Sequence, residues 1–129
     1  MSEPIVYVDR SVIGEGKVGE VKAAISELVD FIDKHGARPL FYHIYIDEGG
    51  KEMSVVQAHP DSASLERHME VGGPAFAKFT ELVKLSWIDI YGTPSDNLRK
   101  QLEAKTRMLG GGTVVVHDLQ AGFTRIRPS

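Results

Sequence analysis

With five histidines and no cysteine among 129 residues, imidazole is the natural candidate for proton transfer, and disulfides, thiolate metal sites and cysteine nucleophiles are excluded. His68 lies three residues after Leu65 and one before Met69, on or beside the apolar stripe of a helix that faces a sheet. Placed there, it could take a proton from a phenolic substrate, because its pKa lies near neutrality and burial tunes it. The same position also suits a partly buried histidine bonded to a carbonyl. His59 and Gln57 share strand parity with Val55 and Met53, so all four point to one face. If that face looks toward the helices, both join His68 in a pocket. Gln57 can orient a ligand oxygen but cannot act as a base. His59 reads more readily as a strand-end residue packed on Pro60.

Trp87, Asp89 and Tyr91 form a second same-parity set. An acid between two aromatics is costly to bury unless paired. Asp89 is then either a pocket carboxylate with a raised pKa or, the preferred reading, an interface carboxylate meeting an arginine of a second copy. No His-x-His, His-x-x-x-His or His-Glu-x-x-His spacing occurs, so no metal site is expected. Hairpin register decides where His43 goes. A two-residue Gly49-Gly50 turn sets it opposite Val56 and away from His59, whereas a three-residue turn would put the two histidines on one face. The run Gly110-Gly111-Gly112 follows a helix instead of opening one, so it ends that helix and is no phosphate loop. A Gly-x-Ser-x-Gly nucleophile elbow is absent.

These side chains need a frame. The β-branched run 5–13 predicts a strand. From Lys17 to His35 the apolar residues Val18, Val21, Ile25, Leu28, Val29 and Ile32 recur at helical spacing, with Gly36 expected in a left-handed conformation at the end. Residues 39–47 and 52–59 read as a hairpin around Gly49-Gly50. Asp61 or Ser62 caps a helix that pauses at Gly72-Gly73, and Pro74 opens a new helical stretch carrying Phe76 and Phe79. A fourth strand spans 85–91. Thr93 caps a further, polar helix with Pro94 in its first position and Asp96 completing a capping box. A broken last strand, 113–118 and 123–127, closes the chain.

Strand, helix, hairpin, helix, strand is the ferredoxin-like β-α-β-β-α-β order, here with an extra C-terminal helix and strand, in an α+β domain covering residues 1–129. Both alternating sets on the hairpin are apolar: Leu40, Tyr42, Ile44 and Ile46 against Phe41, His43 and Tyr45. Helices cover one face, so the other wants a cover, and a second copy of the chain is the simplest one. A homodimer is therefore expected. Whether the last strand pairs within its own subunit or across to the partner is open. A hydrophobic share of 42% with 26% charged residues is that of a globular protein, and a net charge of −3 without a basic cluster argues against nucleic acid. Met1-Ser2-Glu3-Pro4 has neither a basic region nor a long apolar run, so no membrane span is expected and a cytoplasmic location follows by default.

Around the hairpin and the next helix the sequence resembles the antibiotic-biosynthesis-monooxygenase-like family of dimeric α+β barrels. The likeness rests on Met53-Ser54-Val55-Val56-Gln57-Ala58-His59-Pro60-Asp61, then Ser64-Leu65-Glu66-Arg67-His68-Met69, then Gly73-Pro74-Ala75-Phe76-Ala77-Lys78-Phe79, and by element order it covers residues 5–92. Family members often carry Glu-x-Trp, an Ala-Leu-x-x-His helix and Pro-His-Phe. Here Gln57 stands for the glutamate, His59 for the tryptophan and Ala75 for the second histidine, while His68 keeps its place. The resemblance implies an oxygenase without flavin, metal or nicotinamide, acting on a quinol-like or other aromatic metabolite. His68 would be its base, helped by His59, and Gln57 would orient the substrate in a pocket lined by Phe31, Phe76, Phe79 and Trp87. Loss of the glutamate and of one histidine equally suits a dimeric, non-catalytic protein that binds a hydrophobic small molecule.

Overall fold

The computed structural model describes residues 3–125. Strand β1 (Ile5–Ile13) leads to helix α1 (Val18–His35), the hairpin strands β2 (Phe41–Ile46) and β3 (Glu52–His59), and helix α2 (Ser62–Phe76). A 3-10 segment (Ala77–Glu81) joins α2 to strand β4 (Val83–Tyr91), and helix α3 (Asp96–Met108) and strand β5 (Thr113–His117) follow. The sheet order is β2-β3-β1-β4-β5, with β5 parallel to β4 and every other pair antiparallel. This is the ferredoxin-like α+β arrangement, extended by one α-β crossover onto the β4 edge.

All three helices lie on one face. Along β1 the inward set is Ile5, Tyr7, Asp9, Ser11 and Ile13, every one buried. Pairing carries that face onto Met53, Val55, Gln57 and His59 of β3 and onto Tyr42, Ile44 and Ile46 of β2. On β4 a bulge lies opposite the Arg10–Ser11 step, with Trp87 partnering Arg10 and Leu85 partnering Ser11. The extra residue, Ser86, changes parity, so Val83 and Leu85 point inward on one side of it and Ile88 and Ile90 on the other. The opposite face carries Val8, Phe41, His43, Tyr45, Val56, Trp87, Asp89, Tyr91 and Val115, and no element of the described chain covers it.

Several expected boundaries shift for identifiable reasons. The hairpin has the register of the two-residue Gly-Gly turn, with His43 opposite Val56 and so on the face away from His59. Its turn is tied by the Asp47 carboxylate, which accepts from the amides of Lys51 and Glu52, and Gly50 supplies the positive φ of 69°. Helix α2 does not pause at Gly72-Gly73. It runs through both glycines and Pro74, because Gly72 meets α1 so closely that a Cβ there would stand 3.1 Å from the Ile32 side chain. Gly36 is extended and not left-handed (φ −77°, ψ 174°), since the chain leaves α1 directly toward β2. The last helix starts later than the Thr93 box suggests. Ser95 is its cap and accepts from the Leu98 amide, while Pro94 is buried ahead of it. Phe123–Arg125 is irregular rather than strand, and the remainder of the expected 123–127 segment lies outside the described residues.

Helix α3 looks polar throughout, yet Leu98, Leu102, Lys105 and Leu109 form one buried line along it. The cap assignment can be checked by thermal or urea unfolding. Ser95→Ala is expected to cost about 1 kcal/mol, whereas Thr93→Ala changes stability by only a few tenths.

Candidate functional site

Between α1, α2, α3 and β2 lies a partly open cavity of about 210 Å³, walled by Leu28, Ile32, Tyr42, His68, Met69, Gly72, Gly73, Phe76, Gln101, Ala104, Lys105 and Met108. A cavity of roughly 150 Å³ holds benzene, so this one suits a molecule of one or two rings. Larger hollows occur among the described residues, but none has a histidine or lysine buried in its wall.

His68 projects from the middle of α2, is 5% exposed, and its Nδ1 has no hydrogen-bond partner among the described residues. Its ring lies 5.2 Å from that of Tyr42 and 5.5 Å from that of His59. Burial first, then the positive charge of Lys105 and the proximity of His59, lower its pKa from 6.5 to about 3, so the imidazole is neutral at pH 7. His59, at the end of β3, is fully engaged: Nε2 lies 2.7 Å from Gln57 Oε1, and Nδ1 lies 2.7 Å from the Ser64 hydroxyl. With Gln57 so oriented, His59 donates through Nε2 and accepts from Ser64 through Nδ1. Burial brings its pKa down to about 4, opposed by the charge of Asp61.

The residues proposed from sequence separate here. His68 and Phe76 line the cavity. His59 and Gln57 sit behind that wall, bonded to one another. Phe79 is fully buried, stacked under Phe76 at 4.7 Å between ring centres, and reaches the cavity only through it. Phe31 and Trp87, also expected in the lining, stand away from it. Phe31 lies on the outer side of α1, 37% exposed, beside Pro74 and Lys78. Trp87 lies on the opposite face of the sheet under the Arg10 guanidinium, because Ile88 and Ile90 take the inward positions of β4. Asp89 shares that outer face, 2.9 Å from His117 Nε2.

One group escaped sequence reading. Lys105 of α3 reaches across the core, its Nζ 2.6 Å from the Tyr7 hydroxyl and 3.2 Å from Asp9 Oδ2. Tyr7 donates in turn to Asp9. All three side chains are buried, and Lys105 also lines the cavity with Nζ 3.9 Å from the centre of the Phe76 ring. Desolvation lowers the lysine pKa while Asp9 pulls it back up, and burial together with Asp9 raises that of Tyr7 well above its ordinary value. The signal was present in outline: Tyr7 and Asp9 hold inward positions on β1, and Lys105 falls in step with Leu98 and Leu102.

No family profile matches the chain, and no curated protein sequence is significantly similar to it. Solved structures are similar in fold. MupZ from Pseudomonas fluorescens superposes with a TM-score of 0.74 over 96% of both chains at 16% identity. SnoaB, a cofactor-independent oxygenase from Streptomyces nogalater, matches 73% of this chain and 96% of its own with a TM-score of 0.60 and 10% identity. A Bacteroides thetaiotaomicron protein described as a candidate antibiotic biosynthesis monooxygenase matches 68% of this chain and 85% of its own, with a TM-score of 0.54 and 16% identity. The chain has the antibiotic-biosynthesis-monooxygenase-like fold. Among the described residues no helix is long and apolar enough to cross a membrane.

The neutral histidines make stability pH-dependent with a definite sign. Their folded-state pKa values lie below the unfolded value of 6.5, so below that pH the unfolded chain binds more protons. Stability is full above about pH 6.5 and falls as the pH drops toward 4 and 3. Each histidine is expected to remove about 0.7 kcal/mol per pH unit near pH 6.5, rising toward about 1.4 kcal/mol per unit near pH 5. Urea unfolding at pH 7, 6 and 5 should show that slope, and His68→Gln should reduce it by about half.

Proposed function

We propose that this protein is an oxidoreductase of the cofactor-independent monooxygenase type, acting on a quinol-like or other aromatic metabolite in the cavity beside His68. The observation that carries this reading is a neutral, hydrogen-bond-deficient imidazole on the wall of a ring-sized, mostly apolar cavity whose other polar wall residues are Tyr42, Gln101 and Lys105. The fold shared with an oxygenase that needs no cofactor adds to it. His68 would accept the proton of a phenolic hydroxyl. Burial and the charge of Lys105 disfavour the imidazolium, but a phenolate formed beside it supplies a counter-charge, so proton transfer and ion pairing occur together. The electron-rich ring then reduces oxygen. One oxygen atom enters the substrate as a carbonyl and the other leaves as water, with all four electrons coming from the substrate. Tyr42, Phe76 and Met69 would hold the ring, and the bonded His59–Gln57–Ser64 chain would fix the sheet wall behind His68.

Oxygen uptake measured with a panel of quinols and phenols tests this. His68→Ala is expected to lower the rate by about 100-fold or more. Equal rates in the two proteins would remove His68 from the chemistry. A second reading, a binder without turnover, is favoured by the engagement of His59 and Gln57 with each other, which leaves a single free imidazole at the cavity. Retention of a co-purified aromatic ligand with no oxygen uptake would decide for it.

We propose further that the protein works as a homodimer joined through the outer face of the sheet. Tyr45, Trp87, Tyr91 and Val115 are each more than a third exposed there, on both flanks of Val8. Sedimentation at micromolar concentration should give a dimer. Val8→Glu, which sets a second negative charge opposite Asp89, should give a monomer. A wild-type protein that stays monomeric would leave this face without its second copy.

A further inference from the structure

Lys105 is bonded beyond what a buried ion pair needs on one side and short of it on the other. An ammonium has three N–H donors. One goes to Tyr7 and one to Asp9, and among the described residues the third meets no acceptor. Nζ lies 3.9 Å from the centre of the Phe76 ring, and both residues line the cavity. Two further residues of this wall each hold a buried polar atom that has no partner among the described residues, His68 at Nδ1 and Gln101 at Oε1. Burying a lysine is expensive, and an apolar side chain in its place would pack as well or better. The two leucines in line with it on α3 show that this surface accepts such residues.

We propose that the Lys105 ammonium is the anion-binding group of this cavity, receiving ligands whose apolar ring body carries a phenolate or enolate oxygen. Asp9 and Tyr7 hold the nitrogen from behind. The ligand oxygen takes the free N–H, in a setting of low dielectric where a charge-assisted hydrogen bond is strong. The ionisable groups that share this space are Tyr7 and Asp9 of β1, Tyr42 of β2 and His68 of α2. Among the described residues that line the cavity, Lys105 is therefore the one cation while His68 is neutral. This assignment rests on the cavity being a ligand site. It does not require that oxygen be consumed there.

The test uses 4-nitrophenol, whose phenol and phenolate forms absorb at different wavelengths. Protein is titrated into the probe at a pH one unit below the probe's own pKa in solution. A neighbouring cation lowers such a pKa by about one unit or more, so the phenolate band should rise about fivefold as the site fills. With Lys105→Met the band should stay flat. That variant leaves Asp9 buried and unpaired, so Asp9→Asn combined with Lys105→Met, which removes both charges at nearly constant volume, serves as the second comparison and should also stay flat. No rise with the wild-type protein, or an equal rise with the doubly neutral variant, would overturn the proposal. Because nitrophenol reports binding without oxidation, a missing oxygenase activity leaves this result standing. A flat wild-type titration likewise leaves the oxygen-uptake assay to be judged alone.

Discussion

An ammonium cannot rest in the apolar layer between a sheet and its helices unless an anion lies beside it. In this protein that requirement ties the first strand to the last helix. Asp9 and Tyr7 occupy inward positions on β1, where the pattern of Ile5 and Ile13 would suggest aliphatic residues, and Lys105 occupies a matching place on α3. The pair is far more costly to split than to replace whole, since removing either partner strands the other in a poor solvent for charge. Its geometry sets the distance between α3 and the sheet. The cavity is the space left where α1, α2 and β2 meet that fixed helix.

The two faces of the sheet divide the titratable groups by environment. Inside, His59 and His68 are neutral and Lys105 is held by carboxylate and phenol. Outside, His117 pairs with Asp89 and stacks on Tyr91, and Arg10 lies over Trp87. The bulge at Ser86 makes this division possible on β4. Without the parity change, Val83 and Leu85 would share the outer face with Trp87, and the strand would bury only half of its aliphatic residues.

The hairpin register stayed open in the sequence, because turns of two or three residues around Gly49-Gly50 both fit it, and the pairing of His43 with Val56 decides between them. Element order was legible because it follows from local signals: alternating β-branched runs and the helical spacing from Val18 to Ile32. The placement of His68 was legible for the same reason, as a position on a periodic stripe. What could not be read depends on contacts between distant segments. Gly72-Gly73 looks like a break until α1 is known to pass within van der Waals contact. Phe31 carries the same side chain as Phe76, yet only the second faces the cavity, because the two helices are rotated by their packing. Trp87 changes sides through a single inserted residue. The lysine of α3 went unnoticed because a charged residue in a polar helix looks solvated, and only the spacing of Leu98, Leu102 and Leu109 places it inside.

The hydrogen bond between Lys105 and Asp9 spans 96 residues of sequence. As the chain leaves the ribosome, β1 emerges long before its counter-ion, and for most of synthesis the Asp9 carboxylate has no cation of its own to sit against. Sealing β1 under α1 and α2 at that stage would strand a naked charge in a greasy layer. The ion pair therefore adds its stabilisation only once α3 is in place, and the interior around β1 gains its full stability from the end of the chain backward.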